Sequence, residues 1–95
     1  MQQHKNRYKN QLDHFRRRMR FTASHIARLL GHKDASTLSD YERGDRLPSL
    51  VNAFCLGIIL RVPVEFLFPE LYDGLRNDIR AKEEVMARPE QPTLL

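Results

Sequence analysis

Apolar residues fall along this chain in short clusters separated by polar turns, and the spacing inside each cluster predicts its element. After a polar stretch over residues 1–7, expected to be frayed, Tyr8, Leu12, Phe15 and Met19 recur at four- and three-residue steps. That spacing predicts an amphipathic helix from Tyr8 to Arg20. Thr22 is a helix-capping hydroxyl residue, Ile26, Ala27, Leu29 and Leu30 follow at one-face spacing, and Gly31 stops the helix where a left-handed residue costs little. Asp34 caps a third helix over 34–43, whose strongly apolar members are Leu38 and Tyr41, three apart. Ser49 caps the next, Leu50–Leu60, apolar on nearly every side through Val51, Ala53, Phe54, Cys55, Leu56, Ile58 and Ile59. Such a helix is central to a bundle or is covered on its far side by a second copy. Pro63 suits a first helical turn, and Val64, Phe66, Leu67 and Phe68 form a short fifth helix before Pro69.

Beyond Pro69, Leu71, Leu75, Ile79 and Met86 share one face of a helix of about four turns over 70–88, with Asp78/Lys82 and Arg80/Glu84 at ion-pair spacing. This helix either packs on its own bundle or serves as a partner helix. Pro89 and Pro92 end it, and 89–95 is expected to be disordered. The organisation is therefore one small domain over 8–69 followed by a helical extension.

The segment Thr22–Gly44 carries the functional signal. Its second helix has one anchoring stripe and an outward face of small, hydrogen-bonding side chains: Ala35, Ser36, Thr37, Ser39 and Asp40. A helix of that kind can lie in a groove and touch what is there, and Gly31 with Ala27 behind it suits two helices crossing closely. Thr22, Ile26-Ala27, Gly31, Leu38-Ser39, Tyr41-Glu42-Arg43-Gly44 and Arg46-Leu47-Pro48-Ser49-Leu50 together resemble the helix-turn-helix of the lambda-repressor-like, Cro/CI-type (XRE) family. The similarity runs from about Leu12 to Phe68, with three departures. Ala23 stands where the family often has Gln after the capping Thr, the turn is one residue longer at His32-Lys33, and Arg61 stands where a helix-ending glycine is usual.

The resemblance implies an all-α fold, a five-helix lambda-repressor-like bundle with a helical C-terminal extension. It implies a sequence-specific regulator of double-stranded DNA, a repressor by expectation, with helix 34–43 in the major groove. On that mapping Ala35, Ser36, Ser39 and Asp40 face base edges, while Thr22, Ala23, Lys33, Thr37, Arg43 and Arg46 contact the DNA backbone. Arg16 matches the family arginine that pairs with the glutamate of the Glu-Arg-Gly motif, here Glu42, so both are read as structural. Asp40 has two readings: it accepts from cytosine in the groove and excludes other bases, or it pairs on the surface with Arg43 or Arg46. Arg17, Arg18 and Arg20 likewise either offset a helix dipole or lie along phosphates.

Composition narrows this picture without changing it. The 95 residues allow one small domain and a tail, and 41% hydrophobic content suffices for a core. A net charge of +4 suits a polyanionic partner. The single Cys55 precludes an intramolecular disulfide and fits a reducing cytoplasm, where the resemblance implies a nucleoid-associated setting. No apolar run approaches the ~18 residues of a membrane span, and the first eleven residues lack the apolar core of a secretory signal. His4, His14, His25 and His32 form no metal-ligand spacing, and there is no Gly-rich phosphate loop or nucleophile elbow. Cys55 sits among apolar residues with no neighbouring base, so it reads as core filler. A non-enzyme without cofactor or metal is expected, working as a homodimer joined through the apolar patch of Leu50–Leu60 and Val64–Phe68. The alternative is an antitoxin or other interaction module whose tail 70–88 binds a protein through Leu71, Leu75, Ile79 and Met86.

Overall fold

The computed structural model describes residues 7–88; apart from Arg7, the segments expected to be frayed at 1–7 and disordered at 89–95 lie outside them. Every regular element among the described residues is a helix: α1 (Leu12–Arg18), α2 (Ala23–Leu29), α3 (Ser36–Glu42), α4 (Leu50–Leu60), α5 (Val64–Leu67) and α6 (Pro69–Ala87). No helix among them is long and apolar enough to cross a membrane.

The first helix is shorter than its apolar spacing predicts. Tyr8 and Arg20 both fall outside it, because residues 8–11 use their hydrogen bonds across the fold instead of along a helix. Tyr8 donates its backbone N–H to the Gly44 carbonyl at 3.0 Å, and Gln11 donates to the Leu67 carbonyl at 2.8 Å. The Asn10 amide donates to the carbonyls of Tyr8 and Tyr41, at 2.8 and 2.7 Å, and its oxygen accepts from the Leu12 N–H at 3.0 Å. Asn10 thus braces the turn one residue before the N-cap of α1, Gln11, while fastening it to the end of α3.

Four helices end in the same way. In α1 to α4 the chain passes through a left-handed residue, respectively Arg20, Gly31, Gly44 and Arg61. The next N–H then returns to a carbonyl five residues back: Phe21 to Arg16, His32 to Ala27, Asp45 to Asp40 and Val62 to Gly57. This is the Schellman arrangement, which satisfies carbonyls that a helix end leaves orphaned. Glycine adopts the left-handed conformation freely; at Arg20 and Arg61 the Cβ makes it costly.

Leu12, Ile26, Leu38, Tyr41, Leu56, Leu60, Leu67 and Phe68 close one core shared by α1 to α5, with Phe15, Met19, Leu30 and Leu71 packed on its rim. Each such side chain contributes about 1.5–3 kcal/mol by leaving water. Of the two readings of α4, central to the bundle or covered on its far side by a second copy, the first fails: only Leu56 and Leu60 of that helix are buried. Leu50, Val51, Phe54 and Ile58 are exposed, since five short helices offer α4 neighbours on one side only. Ser49 caps α4 as expected, accepting from the Asn52 N–H at 3.1 Å. Pro63 sits at the N-cap of α5 instead of inside its first turn.

Helix α6 starts one residue before the 70–88 expected, has the same length, and buries no residue. Leu71 packs on the core, and Tyr72 and Leu75 line a groove of about 340 Å³ with Leu47, Leu50 and Val64; the rest of the helix is exposed. The expected Asp78/Lys82 and Arg80/Glu84 pairs do not form. Arg80 bonds Glu83 at 3.1 Å instead, one residue nearer than Glu84, and Arg76 meets Asp73 at 3.3 Å.

Candidate nucleic-acid interface

The pair α2 and α3 is built from its caps. Thr22 accepts from the His25 N–H at 3.0 Å and starts α2. After Gly31 turns the chain, Asp34 Oδ1 accepts from both the N–H and the hydroxyl of Ser36, at 2.9 and 2.7 Å. Asp34 therefore acts one residue before the N-cap, Ala35, and α3 starts at Ser36 instead of Asp34. The two Ser36 bonds, hydroxyl first, hold the Asp34 carboxyl below its ordinary pKa.

The bundle grips α3 from its inner side. Leu38 and Tyr41 are buried. The Tyr41 hydroxyl accepts from the Asn52 side chain at 3.0 Å, and its carbonyl accepts from Asn10. Glu42 is held by Arg16, whose Nε donates to Oε2 at 2.6 Å and Nη2 to Oε1 at 3.2 Å. The same guanidinium donates to the Phe21 carbonyl at 3.1 Å and to Asp13 at 2.9 Å, so it also fixes the corner between α1 and α2. Side-chain exposure is only 14% for Arg16 and 13% for Glu42. The hydrogen bond that Arg16 donates to Glu42 is the largest influence raising the Arg16 pKa.

With residues 38, 41 and 42 committed inward, Ala35, Ser36, Thr37, Ser39 and Asp40 lie on the open side, exposed or half-buried. Lys33, in the turn before α3, is exposed and forms no ion pair among the described residues. Arg43 and Arg46 stand at the other end. Neither is free: Arg43 bonds Asp40 and also Asp45, the latter at 3.0 Å, while Arg46 lies 3.9 Å from Asp40. Asp45, first, and then Asp40 raise the Arg43 pKa. Of the two readings of Asp40, surface pairing is the arrangement present here. It arises because the Gly44 turn folds the Asp45 and Arg46 N–H groups back onto the Asp40 carbonyl, at 2.9 and 3.3 Å. Sequence reasoning missed Asp34 and Asp45 as members of this face.

Three cations (Lys33, Arg43, Arg46) and three carboxylates (Asp34, Asp40, Asp45) thus share one surface, which is close to neutral. Arg18 on α1, Arg20 just after its cap and Arg28 on α2 are further cations that form no ion pair among the described residues. Among the described residues no group of three or more His, Cys, Asp or Glu side chains is placed to hold a metal ion. Cys55 is half-buried, and His32 has its Nδ1 buried without a hydrogen-bond partner. No protein-family model matches this chain, and no curated protein matches it in sequence.

Proposed function

We propose that this chain is a sequence-specific double-stranded DNA-binding regulator, of repressor type, with a lambda-repressor-like bundle that lays α3 in the major groove. One observation carries the reading. Helix α3 is gripped only through Leu38, Tyr41 and Glu42, and its open side carries small polar side chains between Lys33 at one end and Arg43 and Arg46 at the other. Ala35, Ser36 and Ser39 are short enough to let the helix backbone approach base edges, and Thr22, Ala23, Lys33 and Thr37 flank them as backbone contacts. The near-neutral face implies weak binding to generic DNA, so contacts to the right bases must supply a large share of the affinity. A single copy reads few base pairs. Two copies on a near-palindromic site, with reading helices roughly 34–36 Å apart, would make the binding selective.

The deciding experiment selects sites from a randomised duplex pool and sequences the retained DNA. A single enriched, near-palindromic motif is expected. Retention of no sequence above the starting pool would overturn the reading. A second reading, an antitoxin or other module whose α6 holds a partner protein, is favoured by the long helix without one buried residue.

A further inference from the structure

We propose that the cavity between the C-terminal ends of α1 and α4 binds a small apolar oxyanion, a carboxylate or phosphate on an aromatic or short aliphatic body, through Arg18 and Arg61. The cavity has a volume of about 340 Å³ and is lined by Phe15, Arg18, Met19, Leu60, Arg61 and Val62. Small-molecule sites start at roughly 300 Å³, so the ligand must be small. Leu60 belongs to the core, and Phe15, Met19 and Val62 pack against it, so the floor of the cavity is apolar and fixed by the fold. A ring beside a thioether suits a flat apolar body.

The charge of the lining names the rest of the ligand. Arg18 and Arg61 are cations, and no carboxylate stands among the lining residues. Neither arginine forms an ion pair among the described residues. Arg61 spends one donor on a long bond, Nη1 to the Ile59 carbonyl at 3.4 Å, which leaves its other donors open. A guanidinium presents its donors as a rigid fork that matches the oxygens of a carboxylate or a phosphate. At both helix ends a returning N–H covers a carbonyl that would otherwise repel an anion: Phe21 to Arg16, and Val62 to Gly57.

The backbone at Arg61 supports the same site. Its φ of 59° is left-handed, which is costly for any residue with a Cβ, whereas glycine would close α4 freely, as Gly31 and Gly44 close α2 and α3. Offsetting the α4 dipole does not account for the arginine. Ile58, exposed in the last turn of α4, offers a place where a cation would do so without strain. Strain retained at a side chain that lines a cavity marks a side chain in use.

Methyl NMR of the full chain, without DNA, tests this independently of the DNA-binding reading. Titration with phenylacetate or with phenyl phosphate should shift the Met19, Leu60 and Val62 methyl signals saturably and leave Val85 and Met86 of α6 unmoved. The tighter of the two identifies the oxyanion. Phenylacetamide, which lacks the charge, and acetate, which lacks the ring, should each bind about tenfold or more weakly. Arg61→Gly relieves the strained cap and therefore folds, yet it should lose about tenfold or more in affinity, as should Arg18→Gln. Arg17→Gln, outside the cavity, should bind like the parent. Three results would overturn the proposal. One is no saturable shift at millimolar phenylacetate and phenyl phosphate. Another is parent-like binding by Arg61→Gly and Arg18→Gln, which would leave these arginines as helix-end charges only. The third is an equal loss in Arg17→Gln, which would reduce the binding to general attraction by positive charge.

Discussion

Replacing Glu42 by glutamine is the sharpest test of how this fold holds α3. The carboxamide has the same shape, keeps one acceptor oxygen and turns an NH2 donor toward the Arg16 guanidinium. Arg16 then retains its charge in a site where Nε or Nη2, now bonded at 2.6 and 3.2 Å, has no acceptor. Removing one partner of a buried pair costs about 3–5 kcal/mol. Here both side chains keep a small wet edge and Asp13 still faces Arg16, so about 2–4 kcal/mol is expected. For a domain of this size that lowers the melting temperature by about 10–20 °C. Urea unfolding followed by circular dichroism should show the midpoint falling with an unchanged slope. A double-mutant cycle with Arg16→Met should return a coupling above about 1 kcal/mol. A Glu42→Gln protein within about 0.5 kcal/mol of the parent would refute the reasoning, since an exposed pair behaves that way.

Other substitutions probe other parts of the structure. Arg61→Gly should raise the melting temperature by several degrees, because about 1 kcal/mol of left-handed strain is relieved at the α4 cap; an unchanged or lower value would remove strain from the account. Gly57→Ala should destabilise despite the better helix propensity of alanine, since its Cβ would stand 2.9 Å from the Val62 carbonyl oxygen and 3.3 Å from a Val64 methyl; thermal melts decide, and a gain would mean that the corner yields freely. Asp34 has a depressed pKa, so its contribution is present above the unfolded value near 3.8 and is lost as pH falls through the lower folded value. Asp34→Asn should therefore flatten the acid limb of stability below about pH 4, and an identical limb would contradict the Ser36 bonds. Asp40→Asn should free Arg46 for a phosphate while Arg43 keeps its bond to Asp45, strengthen generic DNA binding and steepen its logarithmic salt slope by about 0.9 for each phosphate gained. Site selection should also move one position of each half-site toward adenine, and equal preferences in parent and variant would leave Asp40 no reading role.

Caps and turns were legible because their residues act locally. Thr22, Gly31, Ser49 and Pro48 mark ends that any chain with those neighbours would form, and Leu38 with Tyr41 marked the inner side of α3. The pairing of Arg16 with Glu42 was not readable from spacing, since 26 residues separate them; it came only from a resemblance. Asn10 was missed because its partners are carbonyls of Tyr8 and of Tyr41, the latter 31 residues away. The composition of α4 left two readings open, because a helix without a polar side does not announce which face is outward. The pairing of Asp40 with Arg43 and Arg46 was one of two readings open in the sequence; the reversal after Gly44 that decides it places Arg46 back over the helix, and short-range periodicity has no means of expressing it.

The division of labour within α3 has a consequence for how such a chain changes over generations. Side chains that keep the helix in place and side chains that face outward are different residues, interleaved along seven positions. Thr37 and Ser39 make no side-chain hydrogen bond among the described residues, Ala35 has none to make, and Ser36 bonds only the adjacent Asp34. Exchanging these four leaves Leu38, Tyr41 and Glu42 with all their partners, so mutational drift on the outer side is nearly neutral for folding. Lineages can therefore diverge in what the helix touches while inheriting one unchanged frame. At Glu42 the same freedom is closed, because every alternative side chain strands a guanidinium.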